Sequence, residues 1–363
     1  MKSLPLYKQI QHDIKRLIAL GTLREGDRVP SEKELSEKYR VSQITSKNAL
    51  IGLMEEGLLV RIQGKGTFVL SRPENSPAHE RLGEWAALPG KSGRIGLVVP
   101  TMKTKVDQRF LDNIEKYATA SGYELMLRIT RESQQEEANV IASFMKQGVD
   151  GMIIFPVENE TYNDSILRLS LEKFPFVLID RYLKEIKTYS VSSDNANGTK
   201  EAVEYLLEKG HTSIALISPE ITNTVTDERA QGFEQAYIGR KLSIDKNLWC
   251  LLPLDTIASG KAGDKIGEFL RERPELTAVM TVNTELCRYS YKAATEMKKR
   301  VPDDLEIVTF DPPDIPNVLY IRQNEEEMCR LTVELLLEQI NGKQEARRVI
   351  VPVSFIKNTT ILY

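Results

Sequence analysis

The sequence predicts two unlike parts in one chain: a small α+β head of three helices and a β-hairpin, and a larger α/β body of two similar lobes. Three observations carry this. Apolar residues recur at helical spacing in the first 55 residues and then give way to two short strands, whereas from Arg94 onward short apolar runs alternate with amphipathic stretches. The 363 residues exceed what one hydrophobic core organises. Between the two patterns, "RPENSPAHERLGEWAALPGKSG" holds three Pro, three Gly and no sustained period, the composition of a linker. The expected boundaries are 1–71 for the head, 72–93 for the linker and 94–363 for the body.

In the head, Leu6, Ile10, Ile14, Leu17 and Ile18 place a first helix over residues 5–20, which "GTLREGDRVPS" breaks with Gly21, Gly26 and Pro30. Ser31 stands three residues before Glu34, a capping box that opens a second helix over 32–39. Ser42 is a good N-cap for a third, which carries Ala49, Leu50 and Leu53 inward and ends at Gly57. "LLVRI" and "GTFVL" then read as strands joined by the Gln63-Gly64-Lys65 turn. Three helices and a hairpin make a winged helix-turn-helix. In the linker, Leu82, Trp85 and Leu88 suit a short docking turn.

In the body, "RIGLVVP", "GYELMLRIT", "VDGMIIFP", "FPFVLID", "YSVSSD", "TSIALIS", "LTAVMTVN" and "LEIVTFD" read as buried parallel strands with helices between most of them. About eight strands exceed one small domain and imply two lobes. Ligands of such sheets bind beyond the carboxyl ends of the strands, where two facing lobes form a cleft.

Charge divides along the same line. Residues 1–71 carry 12 Lys+Arg against 8 Asp+Glu, while the rest carries 37 against 44, so a cationic head sits on an acidic body. A polyanion attracts the first and repels the second, which favours nucleic acid as partner of the head. No run approaches the roughly 20 apolar residues of a membrane span, and the N-terminus lacks a signal-peptide pattern, so a cytoplasmic protein with no membrane partner is expected. Cys250, Cys287 and Cys329 form no CxxC pair and read as reduced core thiols rather than a metal or disulfide framework. With three histidines and no HExxH, GxSxG or GxGxxG, an enzyme has little support, and no cofactor is expected beyond a small-molecule effector.

The polar stretch "VSQITSKNAL" falls on the third helix, which a helix-turn-helix inserts into the major groove. There Gln43 suits a bidentate contact with adenine and Lys47 reaches guanine or phosphate. Thr45 and Ser46 suit phosphate oxygens. In "RIQGKGTFV", Gly64 and Gly66 permit positive φ, and Lys65 between them has room to enter the minor groove or meet the backbone.

Residues 5–70, with "PLYKQI", "GDRVPSEKELSEKYRVS" and "LMEEGLLVRIQGKGTFV", resemble the DNA-binding domain of GntR-family transcriptional regulators. The family's usual Ser-Arg-x-Thr-Val-Arg-x-Ala-Leu appears here with Gln43 and Lys47 for the two Arg and Ser46 for Val. The resemblance implies that Arg28, Ser31, Glu32, Ser42, Gln43, Thr45, Lys47 and Gly66 face double-stranded operator DNA, with Glu32 orienting basic groups or accepting from cytosine.

Residues 94–363 resemble the effector domain of LacI-type regulators and periplasmic sugar-binding proteins, through segments such as "VDGMIIFP", "FPFVLIDR", "VSSDNANGTKEAVEYLLEKGHTSIALI" and "VPDDLEIVTFD". The implied body is an α/β two-lobed periplasmic-binding-protein-like (type I) domain. Its first lobe is expected at about 94–192 and 323–345, and its second at about 193–322 and 346–363. The combination resembles the arabinose regulators of Gram-positive bacteria and implies a homodimeric repressor with a carbohydrate effector. Asp180, Arg181, Arg229, Asn283, Asp311 and Gln323 are the implied ligand set, each at a strand or crossover end. Three departures stand out: Lys103, Lys105 and Arg109 are added in a segment that is normally aromatic, Asn283-Thr284 stands for Asn-Asp, and "TFDPPD" stands for Gly-Phe-Asp-Asp. The added cations either draw an acidic or phosphorylated sugar or lie exposed on a rim.

Overall fold

The computed structural model describes residues 6–19, 22–23, 26–55, 58–62, 66–69, 92–157, 163–184, 186–220, 223–343 and 345–357. The chain divides into two compact units, residues 1–87 and 88–363. The expected linker up to residue 91, its docking turn and the 63–65 turn lie outside the described residues.

In the first unit, helix α1 (Leu6–Ala19) turns Ile10 and Ile14 into the core. Strand β1 (Arg28–Val29) precedes α2 (Glu32–Tyr39), which opens on the capping box. The Ser31 hydroxyl accepts from the Glu34 amide at 3.3 Å, and the Glu34 carboxylate accepts from the Ser31 amide at 2.6 Å. Helix α3 (Gln43–Glu55) follows, and β2 (Leu59–Ile62) and β3 (Gly66–Val69) form the antiparallel wing. Strand β1 pairs with the other side of β3, a two-residue strand too short to show a period in sequence. Ile10, Ile14, Leu35, Ala49, Leu50, Leu53 and Leu59 meet in one core, so the three helices and the wing hold one another in place.

In the second unit the first lobe contains β4 (Arg94–Val99), α4 (Lys105–Ala120), β5 (Glu124–Ile129), α5 (Gln134–Lys146), β6 (Gly151–Ile154), α6 (Asp164–Leu171), β7 (Phe176–Ile179) and β8 (Ser190–Ser193). The chain then enters the second lobe through α7 (Asn195–Glu208), β9 (Ile214–Pro219), α8 (Thr224–Gly239), β10 (Trp249–Leu252), α9 (Leu254–Ala258) and α10 (Ala262–Arg271). This lobe continues with β11 (Ala278–Thr281), α11 (Thr284–Glu296), β12 (Glu306–Phe310) and β13 (Leu319–Arg322). Helix α12 (Glu325–Ile340) returns to the first lobe, packing on α4, β6, β7 and β8. Strand β14 (Arg348–Val351) joins the first sheet and β15 (Ser354–Ile356) the second.

The sheets run β14-β8-β7-β6-β4-β5 and β10-β9-β11-β12-β13-β15, parallel throughout except for β15. The placement of β14 corrects the expected lobe limit at residue 346. Its parallel register, Arg348 opposite Ser190 through Val351 opposite Ser193, makes it an edge of the first sheet, and the chain crosses over only after Val351. The eight strands read from sequence also omitted β10, β13 and β15, which complete the second sheet.

Both faces of the first sheet are covered. Ile95, Leu97 and Val99 pack with Phe110, Val333 and Leu336, while Val98, Met152 and Ile154 pack with Ile141, Phe144 and Ile166. Gly96 is required for that second layer, since a Cβ there would lie 2.5 Å from the Phe144 ring. The three cysteines are buried free thiols, and among the described residues no helix is long and apolar enough to cross a membrane.

Candidate functional site

Two surfaces carry the predicted functional residues. On α3, Gln43 and Lys47 are exposed one turn apart and Thr45 is half-buried. The Ser42 hydroxyl caps the helix, accepting from the Thr45 amide at 3.2 Å and lying 2.8 Å from the Thr45 hydroxyl. Ser46 does not join this surface. Its side chain is fully buried and its hydroxyl has no hydrogen-bond partner, so it cannot reach a phosphate and is withdrawn from the DNA-facing set.

Arg28 is exposed on β1, and its side chain passes over Gly66, which has φ +121 and would bring a Cβ to 3.0 Å from the Arg28 Nε. The Ser31 hydroxyl serves the α2 cap. Glu32 accepts from Arg61 Nη1 at 2.9 Å, so the carboxylate holds a wing cation that the sequence reading passed over. Lys65 lies outside the described residues.

The second surface lies between the lobes. Asp180 follows β7 and Asp311 follows β12, in matching geometry. Both are buried, both have left-handed φ (68 and 65), and each donates its amide to the neighbouring strand, to Val191 O at 2.8 Å and Ile321 O at 2.9 Å. Such backbone is costly outside glycine and turns each carboxylate off the end of its sheet.

Arg229 of α8 joins them electrostatically. It is 5% exposed, its guanidinium lies 3.6 Å from the centroid of Phe310, Nη1 donates to Val282 O at 2.5 Å, and Nε donates to Asn195 Oδ1 at 2.9 Å. Burial pushes the Asp311 carboxyl up to about 6, against the opposing pull of Arg229 and a hydrogen bond from Gln323. Burial also raises the Asp180 carboxyl, against Arg181 and Arg229. Gln323 is the link between crossovers: its Nε2 donates to Asp311 Oδ1 at 2.9 Å and its Oε1 accepts from the Ser193 hydroxyl at 2.6 Å.

Arg181 donates from Nη1 to Pro156 O at 2.7 Å, with its guanidinium 4.9 Å from the Phe155 centroid. Asn283 is the N-cap of α11, its Oδ1 accepting from the Leu286 amide at 2.9 Å. The structure therefore gathers Asp180, Arg181, Arg229, Asp311 and Gln323, and gives Asn283 a capping task at the end of β11. Ser193, Asn195, Phe155 and Phe310 are further members that sequence reasoning missed. Ser193 and Asn195 stood in the quoted "VSSDNANG", where their position beside a strand end was the available signal.

The rim cations are engaged. Lys105 Nζ lies 2.5 Å from Asp314 Oδ2, and Arg109 Nη1 lies 2.8 Å from Glu325 Oε1, while Lys103 is exposed. Two of the three cations that suggested an acidic sugar are thus neutralised by carboxylates of the chain itself. What the cleft offers is a pair of carboxylates around a guanidinium, an amide and an aromatic face. That set can bind several hydroxyls, each of which both donates and accepts.

Residues 6–69 match the family of bacterial regulatory proteins called the gntR family, and residues 203–360 match the periplasmic binding protein-like domain. The chain is 27% identical over 356 residues to an arabinose metabolism transcriptional repressor of Geobacillus stearothermophilus, covering 94% of this chain and 93% of that protein. It is 24% identical over 262 residues to a ribose operon repressor of Haemophilus influenzae, covering 71% and 77%. A regulatory protein of the LacI family from Chloroflexus aggregans superposes with a TM-score of 0.64 at 25% identity, over 74% of this chain and 98% of that one. With an N-terminal winged helix-turn-helix that matches the gntR family and a body that matches the periplasmic binding protein-like domain, the chain is a DNA-binding transcriptional regulator.

Proposed function

We propose that this regulator represses carbohydrate-utilisation genes and leaves its operator when a sugar occupies the cleft between the lobes. The observation that carries the reading is Arg229, buried against Phe310 beside the facing Asp180 and Asp311. Arg181, Asn283 and Gln323 complete the proposed ligand set. Arg28, Ser31, Glu32, Ser42, Gln43, Thr45, Lys47, Lys65 and Gly66 form the proposed DNA-facing set. The head ends at residue 71 and a linker runs to residue 93. The protein acts by binding rather than catalysis, in the cytoplasm, as a homodimer whose two recognition helices enter successive major grooves about 34 Å apart.

Release requires that the sugar bind the form that does not hold DNA more tightly, because a ligand with equal affinity for both shifts nothing. The relatives named for arabinose metabolism and for a ribose operon make arabinose and ribose the first sugars to try. A sugar at 100 times its dissociation constant adds roughly 2.7 kcal/mol of native stability. A thermal-shift screen followed by operator titration of the stabilising sugar tests the reading. Tighter operator binding with sugar would make the sugar a co-repressor instead of an inducer, and no shift with any sugar would leave the body a dimerisation domain and remove the proposal.

A further inference from the structure

Arg229 is joined in sequence to a residue of opposite charge that faces elsewhere. Glu228, one position earlier on α8, accepts from Asn195 Nδ2 at 3.0 Å through Oε2. Its Oε1 accepts from the Tyr182 hydroxyl at 2.8 Å and from Arg348 Nη2 at 2.5 Å. The Arg348 guanidinium lies 3.5 Å from the Tyr182 ring centroid. Tyr182 and Arg348 belong to the first lobe, on the loop after β7 and on edge strand β14. Glu228, Asn195 and Arg229 belong to the second.

We infer that Glu228 is a positioning residue of the effector site, which fixes Arg229 through Asn195 and fastens the site to the first lobe through Arg348 and Tyr182. The inference rests on reading the interlobe cleft as that site. A carboxylate only accepts hydrogen bonds and a guanidinium only donates them, so two charged neighbours dictate how the Asn195 amide lies. Its NH2 must face Glu228 and its oxygen must face Arg229 Nε. The Asn195 NH2 also donates to Ser193 O at 3.2 Å, so without Glu228 the amide keeps a neutral acceptor and loses the charged one that holds it toward Arg229.

The geometry leaves little slack in this chain of contacts. Helix α8 crosses α7 so closely that a Cβ on Gly232 would lie 2.2 Å from Ala196 O, which keeps Asn195 within reach of both side chains. The Glu228 side chain is 13% exposed and Arg348 31%, so water screens the pair less than it does a surface pair. Burial and the bond to Glu228 push the Tyr182 phenol up to about 12, so it remains a donor at neutral pH. The same turn of α8 is gripped again where Lys184 Nζ meets Asp227 Oδ2 at 2.5 Å and the Tyr182 amide donates to the Thr224 hydroxyl at 3.3 Å.

The test uses the full chain without requiring an identified sugar. Gln135→Cys and Asp255→Cys place one exposed thiol in the helix after β5 in the first lobe and one in the helix after β10 in the second, while the native cysteines stay buried. Spin labels there report the interlobe distance by pulsed dipolar spectroscopy. The parent should give one narrow distribution. Glu228→Gln and Arg348→Met should each shift it to longer distances and broaden it, and Arg348→Lys should largely restore it.

Calorimetric titration with arabinose and ribose adds a second reading. The sugar that binds the parent should bind Glu228→Gln roughly tenfold or more weakly, the scale of a lost charge-assisted hydrogen bond. Arg348→Met keeps the question open to measurement should Glu228→Gln fail to fold. Unchanged distances in the variants would overturn the inference. Failure of both sugars to bind the parent would count against the sugar reading alone, and the distances would still decide the role of Glu228.

Discussion

Lys105 Nζ lies 2.5 Å from Asp314 Oδ2, an ion pair that joins the first turn of α4 in one lobe to the loop after β12 in the other. Each partner lies in a segment where the sequence departs from the LacI-type pattern, "TMKTKVDQRF" for Lys105 and "TFDPPD" for Asp314. The departures therefore meet as one contact across the cleft, and the added lysine is explained by a carboxylate of the chain without invoking an anionic ligand. Both side chains are more than half exposed (61% and 53%), so the pair is screened and its net contribution is modest.

From this contact, Lys105→Ala should change unfolding free energy by no more than about 1 kcal/mol. Lys105→Glu should weaken sugar binding by disfavouring closure, and the reversed pair Lys105→Glu/Asp314→Lys should recover it. The recovered part should fade as salt rises from 0.05 to 0.5 M, on the order of a threefold shortening of the Debye length. Titration of the four forms at both salt concentrations measures this, and additive effects of the two substitutions would show that the residues do not act as a pair.

Ser46 supports a prediction about stability alone. Its hydroxyl is fully buried without a partner, and an unmade hydrogen bond costs about 1–3 kcal/mol. Ser46→Ala removes that cost and improves helix propensity. The variant should raise the unfolding midpoint of the head while leaving affinity for operator DNA unchanged. A fall in the midpoint would mean that the hydroxyl is satisfied in solution.

Lys47 has the opposite character, exposed on the same helix and one turn from Gln43. Lys47→Ala should weaken operator binding and leave sugar binding intact. If Lys47 contacts a phosphate, the log–log dependence of affinity on salt should lose about 0.9 from its slope; if it contacts a base, discrimination between operator variants should fall while the slope holds. Titrations at several salt concentrations on the operator and on single-base variants separate the two, and an unaltered affinity would remove Lys47 from the interface.

The contrast between Ser46 and Lys47 marks what sequence alone made legible. The capping box of Ser31 and Glu34 is local and was readable in four letters, and the aspartates ending "LIDR" and "TFD" were readable because a strand's carboxyl end is where an open sheet binds. Ser46 was misread from polarity although its phase was available. It precedes Ala49, Leu50 and Leu53 by three, four and seven residues, the spacing of one buried helix face. The strand "RVIV" fits the edge of either sheet by its letters, so only pairing with Ser190–Ser193 places it. The contacts of Arg61 with Glu32, and of Asn195 with Arg229, join residues 29 and 34 positions apart and leave no local pattern to read.

The buried charges between the lobes predict a pH dependence. The Asp311 carboxyl is raised to about 6 from an ordinary 3.8, so the folded protein takes up a proton on this group between those values. An acid raised by burial costs stability while ionised. Its own contribution is therefore unfavourable above pH 6 and is relieved as pH falls toward 3.8. Sugar binding should move the other way, because protonation removes the charge facing Arg229 and one of the acceptors for a hydroxyl. Affinity should weaken as pH drops through 6, and Asp311→Asn should bind weakly with a flatter profile.

Arg229→Met tests the other half of the pair. Without the guanidinium, both aspartates stay buried with less to hold them ionised, so stability at pH 7 should fall by on the order of 3 kcal/mol. Part of that loss should return at pH 5 as the carboxyls protonate. Operator binding should persist and no longer respond to sugar. Denaturant unfolding and operator titrations at pH 5, 6 and 7 measure all three, and a sugar-responsive Arg229→Met variant would exclude Arg229 from the effector site.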